Sequence, residues 1–373
     1  MKDKKTPFCK VPFLVGYTTG TTRNYRYRDC CSKRPQLYSD PGQDFQEWWK
    51  SDELNQFRKE MMETKEHPAE CLTCEIAEKY EGNNFTSLRT AINKWDQTDY
   101  THPAGWNITF GNTCNLACWS CNESASSVIF QHKKKAGLVS GKDLSESNFE
   151  KFWPDLKKNI LKSYEHHETV NLTLLGGEPL YNKIVIGFLQ DLVDMNLASR
   201  TRLEFHTNGT VYPYKIFPKD KKSPWQHVCM FISLDAVGPY AEWLRYGCNW
   251  SKVDTVVDSL IVSSDYVEIH CTLTVLNINQ LQELSSYAES KNVRLRISTT
   301  AEPDFMALKN WDLPKDSLLV NKQYDQFQLY YDLIGTTPKT GSSDRLKDYI
   351  RKFDGVRKPL NEFDKTSADK LEW

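Results

Sequence analysis

The sequence predicts an α/β fold in which parallel strands are joined by helical crossovers, laid out either as an open doubly wound sheet or as a partial barrel. Three observations lead there. From Trp106 onward, short β-rich runs alternate with helical runs, six in series, the rhythm that parallel strands with crossover helices require. Four strand ends carry a polar or Gly-rich punctuation, namely a Cys-rich loop, GGEP, TNG and SLD. In either layout, chemistry is expected at the C-terminal ends of the strands. Hydrophobic residues make up 39% of the 373 and aromatics 12%, enough for a substantial core around such a sheet.

Taken in order, residues 1–100 read as irregular, with turn-rich stretches (TTGTTRN, SDPGQD). Their one clear helix lies at about 51–64, where Leu54, Phe57, Met61 and Met62 recur at helical spacing, and a second helical stretch is expected near 74–80. The strands are WNITF (106–110), VNLTLL (170–175), RLEFHTNG (202–209), VCMFISLD (228–235), VEIHCTLTVL (267–276) and VRLRIST (293–299). Helices are expected through IVIGFLQDLVDM and over 239–246, 251–263 and 279–290. Residues 301–373 are polar, rich in Lys, Asp and Tyr, and expected to be mostly helical. The expected units are therefore 1–100, 101–300 and 301–373.

Lys and Arg (48) nearly balance Asp and Glu (49), for a net charge of −1. That leaves no global basic field of the kind that coats nucleic acid, although a nucleotide-sized substrate stays open. MKDKKTPFCK has no apolar core of a signal peptide and no run of 18 apolar residues exists, so a cytoplasmic protein without a membrane span is expected. In a reducing compartment, the eleven cysteines point to metal binding or catalysis before disulfides.

Three cysteines fall within eight residues in GNTCNLACWSC: Cys114, Cys118 and Cys121. Thiolates are soft ligands that favour zinc or iron–sulfur clusters. A structural zinc wants four ligands and this loop offers three, so zinc would need a distant fourth donor; unliganded buried thiols are the other reading. Three thiolates on a four-iron cluster leave one iron open for a substrate or cofactor.

Cys-x3-Cys-x2-Cys after the first strand resembles the signature of the radical S-adenosylmethionine (SAM) superfamily. The resemblance implies a partial (βα)6 TIM-like barrel. It also implies a 4Fe-4S cluster on Cys114, Cys118 and Cys121 whose open iron chelates SAM, with SAM cleaved to a radical that abstracts a hydrogen atom from the substrate. Gly176, Gly177, Glu178 and Pro179 match the family's GGEP, which holds the amino group of SAM. Asn208 in TNG and Ser233 and Asp235 in SLD match further cofactor-side positions, Ser233 near the ribose or carboxylate and Asp235 toward the sugar or substrate. Arg245 in LRYG resembles an arginine that pairs with the SAM carboxylate, a physically sensible pair. Ser120 stands where an aromatic residue is frequent and would meet adenine through its backbone. Asn277 would approach the adenosine or serve a turn.

Cys9, Cys30, Cys31, Cys71 and Cys74 precede this unit. A Cys before Pro, a Cys-Cys pair, a helix with Trp and Arg, then Cys-x2-Cys and a Ser-x-Arg together resemble the twitch domain, the shortened relative of SPASM extensions, here placed before the barrel. The resemblance implies a small irregular N-terminal Cys-rich domain with an auxiliary 4Fe-4S cluster on Cys9, Cys30, Cys71 and Cys74. Cys31 is the alternative to Cys30, and zinc the alternative metal.

Of the remaining cysteines, Cys229 and Cys271 lie in strands and are expected in the core. Cys248, in the loop RYGCNW, is the candidate hydrogen-atom donor, while His206 and Tyr246 are candidate pocket residues. The resemblance points to modification of a peptide or protein, with a reducing partner such as flavodoxin or ferredoxin. A radical SAM enzyme acting on a small molecule or nucleotide is the second reading, and a metal or iron–sulfur binding module without turnover is the third.

Overall fold

Alternating apolar and polar residues give each strand one face to bury and one to leave open, and the computed structural model uses both. It describes residues 8–20, 24–32, 35–63, 71–79, 87–143, 145–217, 223–300, 302–313 and 334–363. The strands are β1 (Val15–Gly20), β2 (Tyr25–Arg28), β3 (Gly105–Phe110), β4 (Ala117–Cys118), β5 (Val170–Gly176), β6 (Thr201–Thr207), β7 (His227–Ser233), β8 (Arg245–Tyr246), β9 (Tyr266–Leu273) and β10 (Arg294–Thr299). Eight form one sheet in the order β10-β9-β7-β6-β5-β3-β1-β2, and β4 pairs with β8 apart from it. Every pairing in the large sheet is parallel except the β1–β2 hairpin.

Along β5, β6 and β7 the residues Leu172, Leu174, Leu203, Phe205, Val228, Met230 and Ile232 are fully buried. Their neighbours Thr173, Glu204, His206, Cys229 and Phe231 are half-buried. A parallel sheet covered on both faces reads as continuous apolar runs, so this alternation means one covered face and one half-open polar face. Each fully buried Leu or Phe on the covered face contributes about 1.5–3 kcal/mol.

The helices are α1 (Val11–Leu14), α2 (Phe45–Trp49), α3 (Asp52–Glu63), α4 (Leu72–Lys79), α5 (Leu88–Asn93), α6 (Ser127–Lys135), α7 (Ser145–His166), α8 (Lys183–Asp194), α9 (Gly238–Leu244), α10 (Trp250–Ser263), α11 (Leu281–Ser290) and α12 (Ser342–Arg351). Side-chain caps set several starts: Ser126 accepts from Ile129 N, Asn182 from Ile184 and Val185 N, and Asn249 from Lys252 N. Among the described residues no helix is long and apolar enough to cross a membrane.

Three expectations change. The first hundred residues are not only irregular, because β1 joins the edge of the common sheet beside β3 and carries β2 with it. α6 and α7 fill the first crossover, where the sequence pattern names no helix; Pro154 lies inside α7 and reads locally as a breaker. Phe149, Leu156 and Ile160 nonetheless bury completely and hold it in place. The described part of 301–373 holds one α-helix, α12, with short 3-10 turns, rather than mostly helix.

Candidate functional site

The three-cysteine loop begins where β3 ends, and Phe110 lies in register with Gly176 at the end of β5. Cys118 sits in β4, directly opposite Arg245 of β8. The start of α6 fixes the loop from below: Cys114 N donates to Ser127 Oγ at 3.3 Å and Ser126 Oγ donates to the Leu116 carbonyl at 2.7 Å. A turn closes the loop through Cys121 N to the Cys118 carbonyl at 3.2 Å.

GGEP lies against this loop at backbone distance. Gly176 has φ +138°, and a Cβ on Gly177 would stand 2.3 Å from the Thr113 carbonyl oxygen, so both positions exclude a side chain. Glu178 N donates to that same oxygen at 2.9 Å, and Pro179 is buried. The Glu178 carboxylate, 1% exposed, accepts from Asn208 N at 2.5 Å, Thr207 Oγ1 at 2.7 Å and Leu180 N at 3.0 Å. Burial pushes its pKa up to about 7 against the pull of those three donors. A shell made of donors is one that receives a carboxylate. Asn208 Nδ2 then reaches Asn115 Oδ1 at 2.9 Å and Cys114 Sγ at 3.9 Å, clasping TNG to the cysteine loop.

On the other side, Arg245 Nε and Asp235 Oδ2 form an ion pair at 2.9 Å, both residues buried. The Nε–H is not aimed for a hydrogen bond, so the contact is ionic. Arg245 Nη1 lies 3.8 Å from Cys118 Sγ. Burial works against the Arg245 charge, but Asp235 first, then Cys118 and Cys248, hold it above its ordinary pKa. Among the described residues Arg245 pairs with the carboxylate of Asp235. Asn277 Oδ1 accepts from Thr274 N and Oγ1, and Nδ2 donates to the Asp235 and Thr272 carbonyls. Ser233 ends β7 half-buried, in register with His270, and Ser120 is half-buried in the loop.

Burial raises all three loop thiols, Cys114 and Cys121 to about 12, and each of these two is raised further by Cys118. They share one neighbourhood. Among the described residues no three His, Cys, Asp or Glu side chains stand close enough to hold a single metal ion. The donor set suits a four-iron cluster: three thiols beside N–H groups of Leu116, Asn208 and Arg245 that lie 3.5–3.9 Å from sulfur. Hydrogen bonds to sulfur are what tune such clusters.

The half-open face of the sheet adds residues that the sequence reading passed over. His270 Nε2 lies 2.9 Å from Glu268 Oε1, and Tyr266 Oη donates to Glu268 Oε2 at 2.5 Å. Glu268 is 3% exposed; burial alone would raise its pKa, but His270 and Tyr266 hold it below the usual range. Phe231 stacks on His270 at 4.6 Å, and His206 packs at 5.0 Å on Phe231. The signal was present, since the run EIH within VEIHCT puts Glu268 and His270 two apart on one strand face. Cys229 lies on this same face, opposite Glu204, a correction to its expected core position. Cys271 is buried as expected. Cys248 follows β8, its N–H bonded to the Arg245 carbonyl at 3.0 Å, and burial raises its thiol to about 12. Tyr246 Oη accepts from Lys358 N at 3.4 Å, which ties it to the C-terminal segment.

In the N-terminal region, Cys9, Cys30, Cys71 and Cys74 line one small cavity with Arg89. Ser87 Oγ and Arg89 Nε both donate to Glu78. Cys31 is not among the lining residues. Its hydrogen bond to Cys30 and a further one to Ser32, with Arg28 nearby, outweigh burial and lower its thiol to about 6.

Residues 105–226 match the family described as a 4Fe-4S single cluster domain, a stretch that includes all three loop cysteines, GGEP and TNG. No curated protein matches the chain. Among solved structures, native anSMEcpe with bound AdoMet is similar at 18% identity and TM-score 0.37, over 52% of this chain and 51% of that one. The match therefore spans about half the length of that protein. Streptococcus suis SuiB bound to precursor peptide SuiA is similar at 14% identity and TM-score 0.37, over 93% and 70%. TYW1 with a lysine-pyruvate adduct bound is similar at 13% identity and TM-score 0.31, over 50% and 61%. Likenesses this distant assign no activity, which leaves the site's own geometry and the matched domain to carry the functional reading.

Proposed function

We propose that this chain is a radical SAM enzyme whose 4Fe-4S cluster is held by Cys114, Cys118 and Cys121. The observation that carries the reading is the clasp of GGEP, TNG and Arg245 around the loop of three half-buried cysteines: Gly177 and Glu178 on Thr113, Asn208 on Asn115 and Cys114, and Arg245 on Cys118. The sequential order of β3, β5, β6, β7, β9 and β10 and the single covered face support a partial (βα)6 barrel wall over a doubly wound sheet, which covers both faces. When bound, such a cluster supplies an electron that breaks a C–S bond of SAM, giving methionine and a 5′-deoxyadenosyl radical that takes a hydrogen atom from substrate. The chain's own part is orientation and exclusion of water. Arg245 sets positive charge beside Cys118, Glu178 fixes the GGEP backbone, and the half-open face with His206, Glu268 and His270 receives the substrate.

After anaerobic reconstitution, SAM plus dithionite is expected to yield 5′-deoxyadenosine, and the Cys114→Ala/Cys118→Ala/Cys121→Ala variant none. A reconstituted cluster that neither binds nor cleaves SAM would favour a metal-binding module. The substrate class we favour is a peptide or protein, on the twitch-like N-terminal motif, with flavodoxin or ferredoxin as reductant and a cytoplasmic location.

The second part of the reading is an auxiliary cluster on Cys9, Cys30, Cys71 and Cys74, supported by their shared cavity. Four thiols close a site without an open iron, a donor set that suits electron transfer. Cys30→Ser is expected to lose about four irons per chain relative to Cys31→Ser. Equal iron in both variants would remove the distinction, and zinc in place of iron by elemental analysis would replace the cluster.

A further inference from the structure

The half-open face of the sheet holds a carboxylate that its neighbours keep charged. Both oxygens of Glu268 are engaged, Oε1 2.9 Å from His270 Nε2 and Oε2 accepting from Tyr266 Oη. Arg294 Nε stands 3.9 Å from Oε2 across the β9–β10 pairing. Against the upward push of burial, His270, Tyr266 and Arg294 keep the Glu268 pKa below the usual carboxylate range. An ionised carboxylate only accepts, so the hydrogen of the neutral His270 ring sits on Nε2. That fixes the tautomer and leaves Nδ1 bare. Nδ1 has no hydrogen-bond partner among the described residues and is not sealed from solvent, and 23% of the His270 side chain is accessible.

The ring is also held in its plane. Phe231 stacks on it at 4.6 Å and 21°, and His206 meets it edge-on at 5.6 Å. His206 has a carboxylate of its own, Glu204, but at 3.8 Å, beyond hydrogen-bond reach. His270 is in register with Ser233 at the end of β7. It stands one same-face step, about 7 Å, from Thr272, whose N–H donates to Asp235. The pair therefore lies just below the strand ends that meet the cysteine loop. A contact that only braced β9 has no use for an open, bare nitrogen beside it.

We propose that Glu268 and His270 form a proton-accepting dyad, in which His270 Nδ1 takes a proton from a substrate O–H, S–H or N–H and Glu268 positions the ring and balances the imidazolium. The bond broken is that to the substrate hydrogen, the bond formed is Nδ1–H, and no electron moves in that step. That this face meets substrate rests on the function proposed above; the basicity of the dyad does not. The dyad narrows the substrate to one that presents a hydroxyl, thiol or amine at this point of the face.

Diethyl pyrocarbonate acylates imidazole nitrogens that are open and carry no proton. The full chain is treated with it at about pH 8, where imidazole is largely neutral, and peptide mass spectrometry follows each of the eight histidines. His270 is expected to react in the folded protein. Glu268→Gln keeps an oxygen for Nε2–H and loses the charge, so the rate at His270 is expected to fall at least about threefold, while the rate at His206 holds. If Glu268→Gln does not fold, as judged by circular dichroism, Arg294→Gln at the exposed end of the network takes its place. It removes a cation that competes for Glu268 and is expected to raise the rate at His270 about twofold, a direction that loss of packing does not predict at His270 alone. No acylation of His270 in the folded chain overturns the proposal, as does a rate that the folded variant leaves unchanged. Failure of the radical reading shows elsewhere: without 5′-deoxyadenosine from the wild type that reading falls, while the acylation result still decides whether the dyad is a base.

Discussion

Replacing Arg245 by Met is expected to destabilise the metal-free chain by about 3–5 kcal/mol, because it leaves the Asp235 carboxylate buried and unpaired. Asp235 is 5% exposed and Arg245 8%, so water cannot take over either charge. Asp235→Asn should cost a similar amount from the other side. Its Oδ1 still accepts from Thr272 N, but the guanidinium loses its counter-charge. The double variant Asp235→Leu/Arg245→Met should recover most of the loss, since replacing both members of a buried pair by apolar groups is often neutral. Urea unfolding midpoints of the wild type, Arg245→Met, Asp235→Leu and the double variant form the double-mutant cycle. Additive losses would mean that the 2.9 Å contact carries no coupling. Arg245 also stands across β4–β8 from Cys118, so on the proposed function movement of the arginine would disturb the neighbour of a cluster ligand.

Gly177→Ala should be the most damaging single-methyl change at the site. An added Cβ would meet Thr113 O at 2.3 Å, Thr113 C at 2.6 Å and Asn112 C at 2.7 Å. All three are backbone atoms, so no side chain can swing away and the loop itself must shift. Overpacking of this kind costs about 1–3 kcal/mol or more, and the displaced segment immediately precedes Cys114. Iron incorporated on reconstitution should fall several-fold, with a lower unfolding temperature. Gly187→Ala is the internal comparison: it lies in α8 with nothing within 4 Å of its Cβ position. There the methyl should stabilise by about 0.5–1 kcal/mol through helix propensity. Wild-type iron content in Gly177→Ala would remove close approach as the reason for glycine there.

The six long parallel strands from Trp106 onward and helices α8, α10 and α11 were legible because each repeats a local period long enough to stand above noise. β3, β5, β6, β7, β9 and β10 all fall within two or three residues of their expected limits. β8 was not legible. Arg245 and Tyr246 continue the pattern of α9 locally and become a strand only because Ala117 and Cys118 lie beside them. α7 was hidden by Pro154, which carries a local helix-breaking signal that burial of Phe149, Leu156 and Ile160 overrides. β2 is only four residues long, and the place of β1 at the sheet edge depends on pairing with β3, ninety residues away in sequence.

The sequence by itself determined the α/β rhythm, the three-cysteine loop and the strand-end motifs, because local spacing and residue chemistry write all of these directly. Only the tertiary structure decided what those motifs hold. It set Asp235 against Arg245, bonded the Asn277 amide to Thr274 and the Asp235 carbonyl, brought Cys30 rather than Cys31 to the cavity of Cys9, Cys71 and Cys74, and aligned Glu268 with His270 beneath Phe231 and His206. It also carried Arg357 across 238 positions onto Trp119. Partners so far apart along the chain leave no local period, and side-chain direction is fixed by packing around them.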